Sequence, residues 1–442
     1  MKSSNESLLK IAEKLLSFGK SKGASQMQIS IGKSQNFSVE IRNGEIERLQ
    51  EAVSTGLALK VIVDKKVASA SSSDLSVDTL EKLVDNAVAR ARYSSVDEFA
   101  ELPELENINV NVDSLELFDP EVETITPDKK IEIALSLEKL GKADPRIQQS
   151  LGSYFGNSTG ESFLVNSNGF SGSYRTSRCS SGVELQVGEG DNMYEDGWSD
   201  SSISYKGLMD NDEIAKKAIH RATRLIGAKK IGTQNVPVIF DQQMSASLLG
   251  FLASCLYGSS IYMNRSFLAG KLDTKIAGDN INIIDDGLMK AGFGTRPFDG
   301  EGVPTRIKAM IENGVLKNYL LDTYSSKKLK LKSTGNAGGT TNFYMKPGTK
   351  TPEEIIKSVD KGLYLVKTIG QGTVPTSGDY SKGAYGIWIE KGELTYPVAE
   401  ITISGNLGKM LSNIEMIGND LEFRRSIAAP TFKISEITIS GK

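Results

Sequence analysis

Residues 156–160 read Gly156-Asn157-Ser158-Thr159-Gly160, a match to G-x-S-x-G, the turn that presents a serine nucleophile in α/β hydrolases. That turn needs a strand before it, a helix after it, and an acid and a histidine downstream. Here the residues that follow, 162–166, have the pattern of a strand, so the two glycines are expected to make a hairpin turn instead. The chain's one histidine, His220, is the only imidazole base on offer. It sits in a helical stretch between Ile219 and Arg221, which predicts a solvated side chain. Cys179 and Cys255 have no Cys-x-x-Cys neighbour, and Cys255 falls on an apolar helical face, where a free cysteine behaves as a small hydrophobe.

Metal and phosphate chemistry finds little more. A catalytic zinc site of the histidine-rich kind needs two or three imidazoles, and two cysteines cannot make a four-cysteine site. The Gly-Lys-Ser triplets at 18–21 and 31–34 lack the glycine a Walker A loop places five positions earlier. Gly292-Phe293-Gly294 lacks a correctly placed third glycine and precedes no helix. The acidic stretch 189–200 has no EF-hand spacing and is expected to be a polar hairpin end with Tyr194 and Trp198 packed beneath. Asp285-Asp286 is expected to be a turn before Gly287.

Composition narrows the class. The chain has 442 residues, a number that suggests about two to four domains at roughly 150 residues each. Lys and Arg total 52 against 55 Asp and Glu, with no basic blocks, which argues against a dedicated nucleic-acid binder. No apolar run approaches the ~20 residues of a membrane helix, and the acid-bearing amphipathic start is unlike a signal peptide. Two isolated cysteines fit a reducing compartment. A soluble, cytoplasmic protein is expected.

Periodicity supplies the elements. Leu8, Leu9, Ala12, Leu15 and Leu16 form a helical stripe, ended near Gly19 and Gly23. Strands are expected over 27–31, 37–41, 45–49, 56–63 and 66–71, with turns at Asn43-Gly44 and Asp64-Lys65. A helix over 77–92 closes the first unit. Residues 98–127 are acidic, proline-bearing and aperiodic, and read as a linker or surface crossing. A helix over 128–141, strands over 148–155, 162–166, 169–175 and 182–188, and a helix over 212–225 make a second unit. The rest opens with a strand at 236–240 and an apolar helix at 243–256. Hairpins follow at 306–321 and 384–398, around Asn313-Gly314 and Lys391-Gly392, and a last strand at 432–439 is placed to seal a sheet. Two glycine-rich connections, 291–304 and 334–341, are long enough to suggest a functional role. The fold class is α+β: mainly antiparallel sheets with flanking helices, an N-terminal α+β domain (1–105), a middle α+β domain with hairpins (106–228) and a larger β-rich C-terminal domain (229–442).

The third region carries a resemblance. VPVIFDQQMSASLLGFLASCLYGSSIYMNRSFLAGKL, then FDGEGVPT, IENGVLKNYLLDTYSSKKL and STGNAGG, resembles the TldD/PmbA family, historically called modulators of DNA gyrase. FSVEIRNGEIERLQEAVSTGLALKVI fits the family's first domain, so the resemblance spans essentially the whole chain. TldD-type members carry HExxxH on the helix after the opening strand of the last domain, plus a C-terminal cysteine, and bind a metal for peptide hydrolysis. PmbA-type (TldE) members share the fold without the ligands. Here Gly250 and Cys255 stand where the histidines would be and Phe251 replaces the glutamate, so a degenerate motif is expected. The stretch NIEMIGNDLEFRRSIAAPTFKI has no cysteine. The resemblance implies a PmbA-type subunit with no metal or other cofactor and no catalysis alone. Its expected partner is a TldD-type chain as a heterodimer, or a second copy as a homodimer, and its ligand an extended peptide, with neither nucleic acid nor membrane involved. Gly292, Gly294, Gly335, Asn336, Gly338 and Gly339, in the two glycine-rich connections, are the candidate lining of a proteolytic chamber. Two other readings stay open: a hydrolase using Ser158 or Cys255, and a binding protein acting on a DNA enzyme.

Overall fold

The computed structural model describes residues 2–190 and 193–441, with side chains from residue 8 onward. The N-terminal half runs α1 (Lys2–Ser21), β1 (Gln26–Arg42), β2 (Glu45–Val63), β3 (Lys66–Ser72), α2 (Val77–Tyr93), α3 (Glu121–Thr124), α4 (Pro127–Gly141), β4 (Ile147–Asn166), β5 (Ser171–Val187), β6 (Tyr194–Ser202) and α5 (Asn211–Thr223). The C-terminal half begins with β7 (Gln234–Phe240), α6 (Gln242–Leu256), α7 (Gly258–Tyr262), β8 (Ile283–Asp286), β9 (Ile307–Glu312), β10 (Val315–Leu316), α8 (Thr323–Leu329) and β11 (Asn342–Met345). It ends with α9 (Pro352–Lys357), β12 (Lys361–Ile369), β13 (Thr373–Val374), β14 (Asp379–Glu390), β15 (Glu393–Asn406), α10 (Leu407–Ser412), β16 (Ile414–Ile417), β17 (Ile427–Ala428) and β18 (Phe432–Ser440). This is the expected α+β class, mostly antiparallel; the parallel strand pairs are β7–β12 and β11–β17.

The two N-terminal α+β units share one antiparallel sheet of order β3-β2-β1-β4-β5-β6, joined through the β1–β4 ladder. Odd-numbered residues of these long strands point to the helices. Met27, Ile29, Ile31, Leu57 and Leu59 pack beneath α1 and α2, while Phe37, Val39, Ile41 and Phe155 pack beneath α4. Even-numbered residues face the C-terminal half, as period-2 alternation requires. There Leu164 and Phe170 meet Phe298, Gln28 donates to the Gly300 carbonyl, and Lys60 pairs with Glu301. In the C-terminal half β7, β12, β14, β15 and β18 pair in a closed ring, with β18 between β7 and β15, so the tail strand does seal a sheet. The helix α6 packs between that ring and the five-stranded sheet β10-β9-β8-β11-β17.

Four hairpins have the turns expected of them. Asn43-Gly44, Asp64-Lys65, Asn313-Gly314 and Lys391-Gly392 all hold both residues at positive φ, the geometry that matches strand twist. Other expectations need correction. Gly156–Gly160 is no turn: it is the interior of β4, with Gly156 opposite both Ser38 and Ser180 and Gly160 opposite Ser34 and Thr176. The expected breaks at 32–36 in β1 and 50–55 in β2 are likewise continuous strand, whereas the strand over 315–321 shrinks to Val315–Leu316. The stretch 98–127 crosses the surface but is anchored by buried Leu102, Leu115, Leu117 and Val122. Asp285-Asp286 ends strand β8 rather than forming a turn. The acidic stretch lies partly outside the described residues, at 191–192. Within the rest, Tyr194 and Trp198 pack on the α5 core as expected, but Asp196 and Asp200 turn inward and pair with arginines. No helix among the described residues is long and apolar enough to cross a membrane.

Candidate functional site

Asp241 caps α6, its carboxylate accepting from the Met244 N–H at 2.9 Å. Burial pushes this carboxyl up, against the pull of Arg224 and Arg221, whose guanidinium groups lie 4.0 and 3.9 Å away. The helix is regular, so Gly250 and Cys255 point about 140° apart. Cys255 is fully buried in the main core, and Phe251 packs there against Tyr380, ring centroids 6.4 Å apart. Gly250 faces Ile427 of β17, the nearest atom to an added Cβ being Ile427 Cδ1 at 3.8 Å. None of the three fits a metal: one has no side chain, one is a hydrocarbon and one is a thiol inside the core. Among the described residues no group of three or more His, Cys, Asp or Glu side chains is placed to hold a metal ion. Since an alanine Cβ at 250 meets only ordinary contact, Gly250→Ala should stabilise the fold by about 0.5–1 kcal/mol through helix propensity. A shift in the urea midpoint at constant slope would measure it.

Neither cysteine is a nucleophile in this setting. Burial pushes the Cys255 thiol up to about 11 and the Cys179 thiol up to about 12. The thiolate is the reactive form, so both are held unreactive. A disulfide reagent near neutral pH should titrate neither thiol in the native protein and both after denaturation. Ser158 lies mid-strand with Asn36 and Arg178 as its ladder neighbours, not on an elbow. His220 is exposed in the last turn of α5.

A concave feature lies on the even face of the N-terminal sheet. It is a groove of about 710 Å3, within the usual range of ligand sites. Its floor is two cross-strand rows read from the register: Gln50, Ser38, Gly156, Ser180 and Ser201 in one, Ala52, Asn36, Ser158 and Arg178 in the other. Its wall comes from Phe293 and from Arg424, Arg425 and Ser426, which lead directly into Ile427 beneath Gly250. Arg178 donates to the Phe293 carbonyl at 2.5 Å and ties floor to wall.

The two glycine-rich connections form one hydrogen-bonded unit behind that wall. Gly294 N–H donates to Asn342 Oδ1, Gly300 N–H to the Ala337 carbonyl, and Arg296 to the Gly339 carbonyl. Asp299 accepts backbone N–H groups from Glu301, Val303 and Ala337, although burial pushes its carboxyl up to about 6. Fully buried Asp285 accepts from Asn336 Nδ2 at 2.9 Å through Oδ2 and from the Thr341 N–H at 2.7 Å through Oδ1, and Lys308 Nζ lies 3.1 Å from the same Oδ2. Thus Gly292 and Gly294 flank Phe293 in the groove wall. Gly335, Asn336 and Gly339 pack behind it, and Gly338 is exposed. Sequence reasoning missed Arg178, Arg424, Arg425 and Lys308, and took Asp285 for part of a turn. Only Arg424-Arg425, adjacent cations in an otherwise acidic stretch, carried a signal.

Comparison with known proteins places three consecutive family domains on the chain. The PmbA/TldA metallopeptidase domain 1 matches residues 28–91, the central domain 120–226 and the C-terminal domain 233–441. A metalloprotease PmbA homologue of Buchnera aphidicola is 34% identical, over 94% of this chain and 93% of its own. The metalloprotease PmbA of Escherichia coli O157:H7 is 33% identical, over 97% and 94%. The crystal structure of a proposed modulator of DNA gyrase from Bacteroides thetaiotaomicron superposes with a TM-score of 0.92 at 30% identity, covering 98% of both chains.

Proposed function

We infer that this chain, which belongs to the PmbA/TldD metallopeptidase family, works as the metal-free subunit of a two-subunit cytoplasmic peptidase whose TldD-type partner holds the metal. The observation that carries this reading is α6. The helix sits where the metal-binding relatives would place HExxxH, and its Gly250, Phe251 and Cys255 supply neither ligands nor a base. A zincin's glutamate polarises water, and a phenyl ring buried against Tyr380 cannot. The chain's own contribution is then to bind and orient peptide beside the partner's centre.

Two features support that role. Among the described residues, 45–56 of β2 pair with β1 on one side only, since β3 reaches no further than residue 57, so their other edge offers main-chain donors and acceptors that no described strand pairs. Gln50, Ala52 and Ser54 of the same stretch line the groove. An extended peptide added at such an edge gains affinity from main-chain bonds and selectivity from alternate side chains. The two glycine-rich connections, through Phe293, complete the chamber wall. Co-expression with a TldD-type chain tests the reading. A heterodimer by mass that binds zinc in the partner and cleaves an unfolded peptide supports it; stoichiometric zinc and cleavage by this chain alone would refute it.

A further inference from the structure

We propose that the groove selects peptides through their carboxylates, so that the chain is a receptor for acidic peptide segments. The proposal rests on the reading of this chain as a peptide-handling subunit and gives that reading a substrate class. The charge distribution is its first support. The protein as a whole carries a net charge of −3, yet among the described residues no aspartate or glutamate lines the groove, whereas Arg178, Arg424 and Arg425 do. Arg424 is compensated from behind by buried Asp200, 3.3 Å away. Among the described residues neither Arg178 nor Arg425 has a carboxylate within 4.0 Å. Two guanidinium groups without counter-charge therefore face one cleft.

Geometry chooses the ligand. Arginine presents parallel N–H donors that match a carboxylate fork. The floor between the arginines is hydroxyl and amide: Ser38, Ser158, Ser180, Asn36 and Gln50, short side chains that leave room for a backbone and can bond to its N–H and C=O groups. The open edge of β2 runs along one side. A nucleic-acid strand would instead need stacking platforms along a basic track, and among the described residues the aromatic lining is Phe37, whose side chain points to the helices, and Phe293.

The test uses the purified full chain without zinc or partner, so it is independent of whether a TldD-type subunit binds. Fluorescence anisotropy would compare a short fluorescein-labelled peptide of alternating Ala and Glu, amidated at its C-terminus, with its Gln counterpart. The Gln peptide bearing a free C-terminal carboxylate and a single-stranded oligonucleotide complete the set. Saturable binding of the Glu peptide, about tenfold tighter than the amidated Gln peptide, is expected. Arg425→Gln, which removes no hydrogen bond or ion pair among the described residues, should weaken it about tenfold, as should Arg178→Gln, while Lys20→Gln on α1 should not. Tightening of the Gln peptide by its free carboxylate alone would assign the same arginines to a C-terminus rather than to side chains. Equal affinity for all peptides, unchanged affinity in both arginine variants, or preference for the oligonucleotide would overturn the proposal.

Discussion

Asp285→Ala will destabilise the protein by about 3–5 kcal/mol, the usual cost of removing one partner from a buried ion pair. The pair qualifies by burial: the Asp285 side chain is 0% exposed and that of Lys308 5%. Without the carboxylate, Lys308 keeps no counter-charge among the described residues, the Thr341 N–H loses its acceptor and the Asn336 amide loses one of two. Burial already pushes the Lys308 ammonium down. In the variant it can escape part of the penalty by releasing its proton, which sets the upper limit of the effect. Lys308→Met should cost less, since Asp285 keeps both donors. Urea unfolding of the two variants gives the ordering, and a reversed order would show that the lysine, not the carboxylate, organises this region. Because Asp285 anchors Asn336 and Thr341 at the ends of the loop whose Ala337 and Gly339 carbonyls bond the segment carrying Phe293, weaker peptide binding should accompany the loss of stability.

The order of difficulty in reading this sequence follows the range of the interactions. Hairpins were legible because a two-residue turn and its flanking alternation are local: Asn43-Gly44 and Lys391-Gly392 announce their geometry within a few positions. The middle of β4 was not. At 156–160 the strand has ladder neighbours on both sides and floors a polar groove, so it lacks the apolar alternation that marks a half-buried strand. Glycine and serine there resemble a turn because both settings call for small side chains. The closed ring was hidden for another reason. Its parallel β7–β12 contact joins segments far apart in the chain, and no local pattern encodes that pairing.

The candidate site divides along the same line. The place of α6 was legible through its family resemblance, and its failure as a metal site through three residue types alone. The groove was not legible, because Arg178 comes from β5 and Arg424 and Arg425 from the segment before β17; only the sheet's even face brings them together. Ser158 was singled out for a nucleophile motif, and it does line the groove, but as one hydroxyl of a floor.

Restoring the lost motif should give a damaged protein rather than a peptidase. Gly250→His together with Phe251→Glu and Cys255→His recreates HExxxH, yet each position has been absorbed into structure to a different degree. Position 250 is half-buried with Ile427 as its neighbour, so a histidine there can be accommodated by local shifts. Position 251 is 7% exposed in an apolar cluster, where truncating a phenylalanine alone costs about 3–5 kcal/mol and an unpaired carboxylate adds to that. Position 255 is 0% exposed, and an imidazole in place of a thiol overpacks the core by about 1–3 kcal/mol. Losses of that size approach the whole stability of a domain. Gly250→His alone should therefore purify folded, Phe251→Glu and the triple variant should unfold at far lower urea, and none should take up stoichiometric zinc. Two imidazoles about 140° apart on a regular helix do not converge on one ion, and the segment before β18 offers no cysteine as a third ligand. A folded triple variant that binds zinc and cleaves peptide would mean that α6 keeps the distortion of a working metal helix, and that its apolar packing is not what holds it in place.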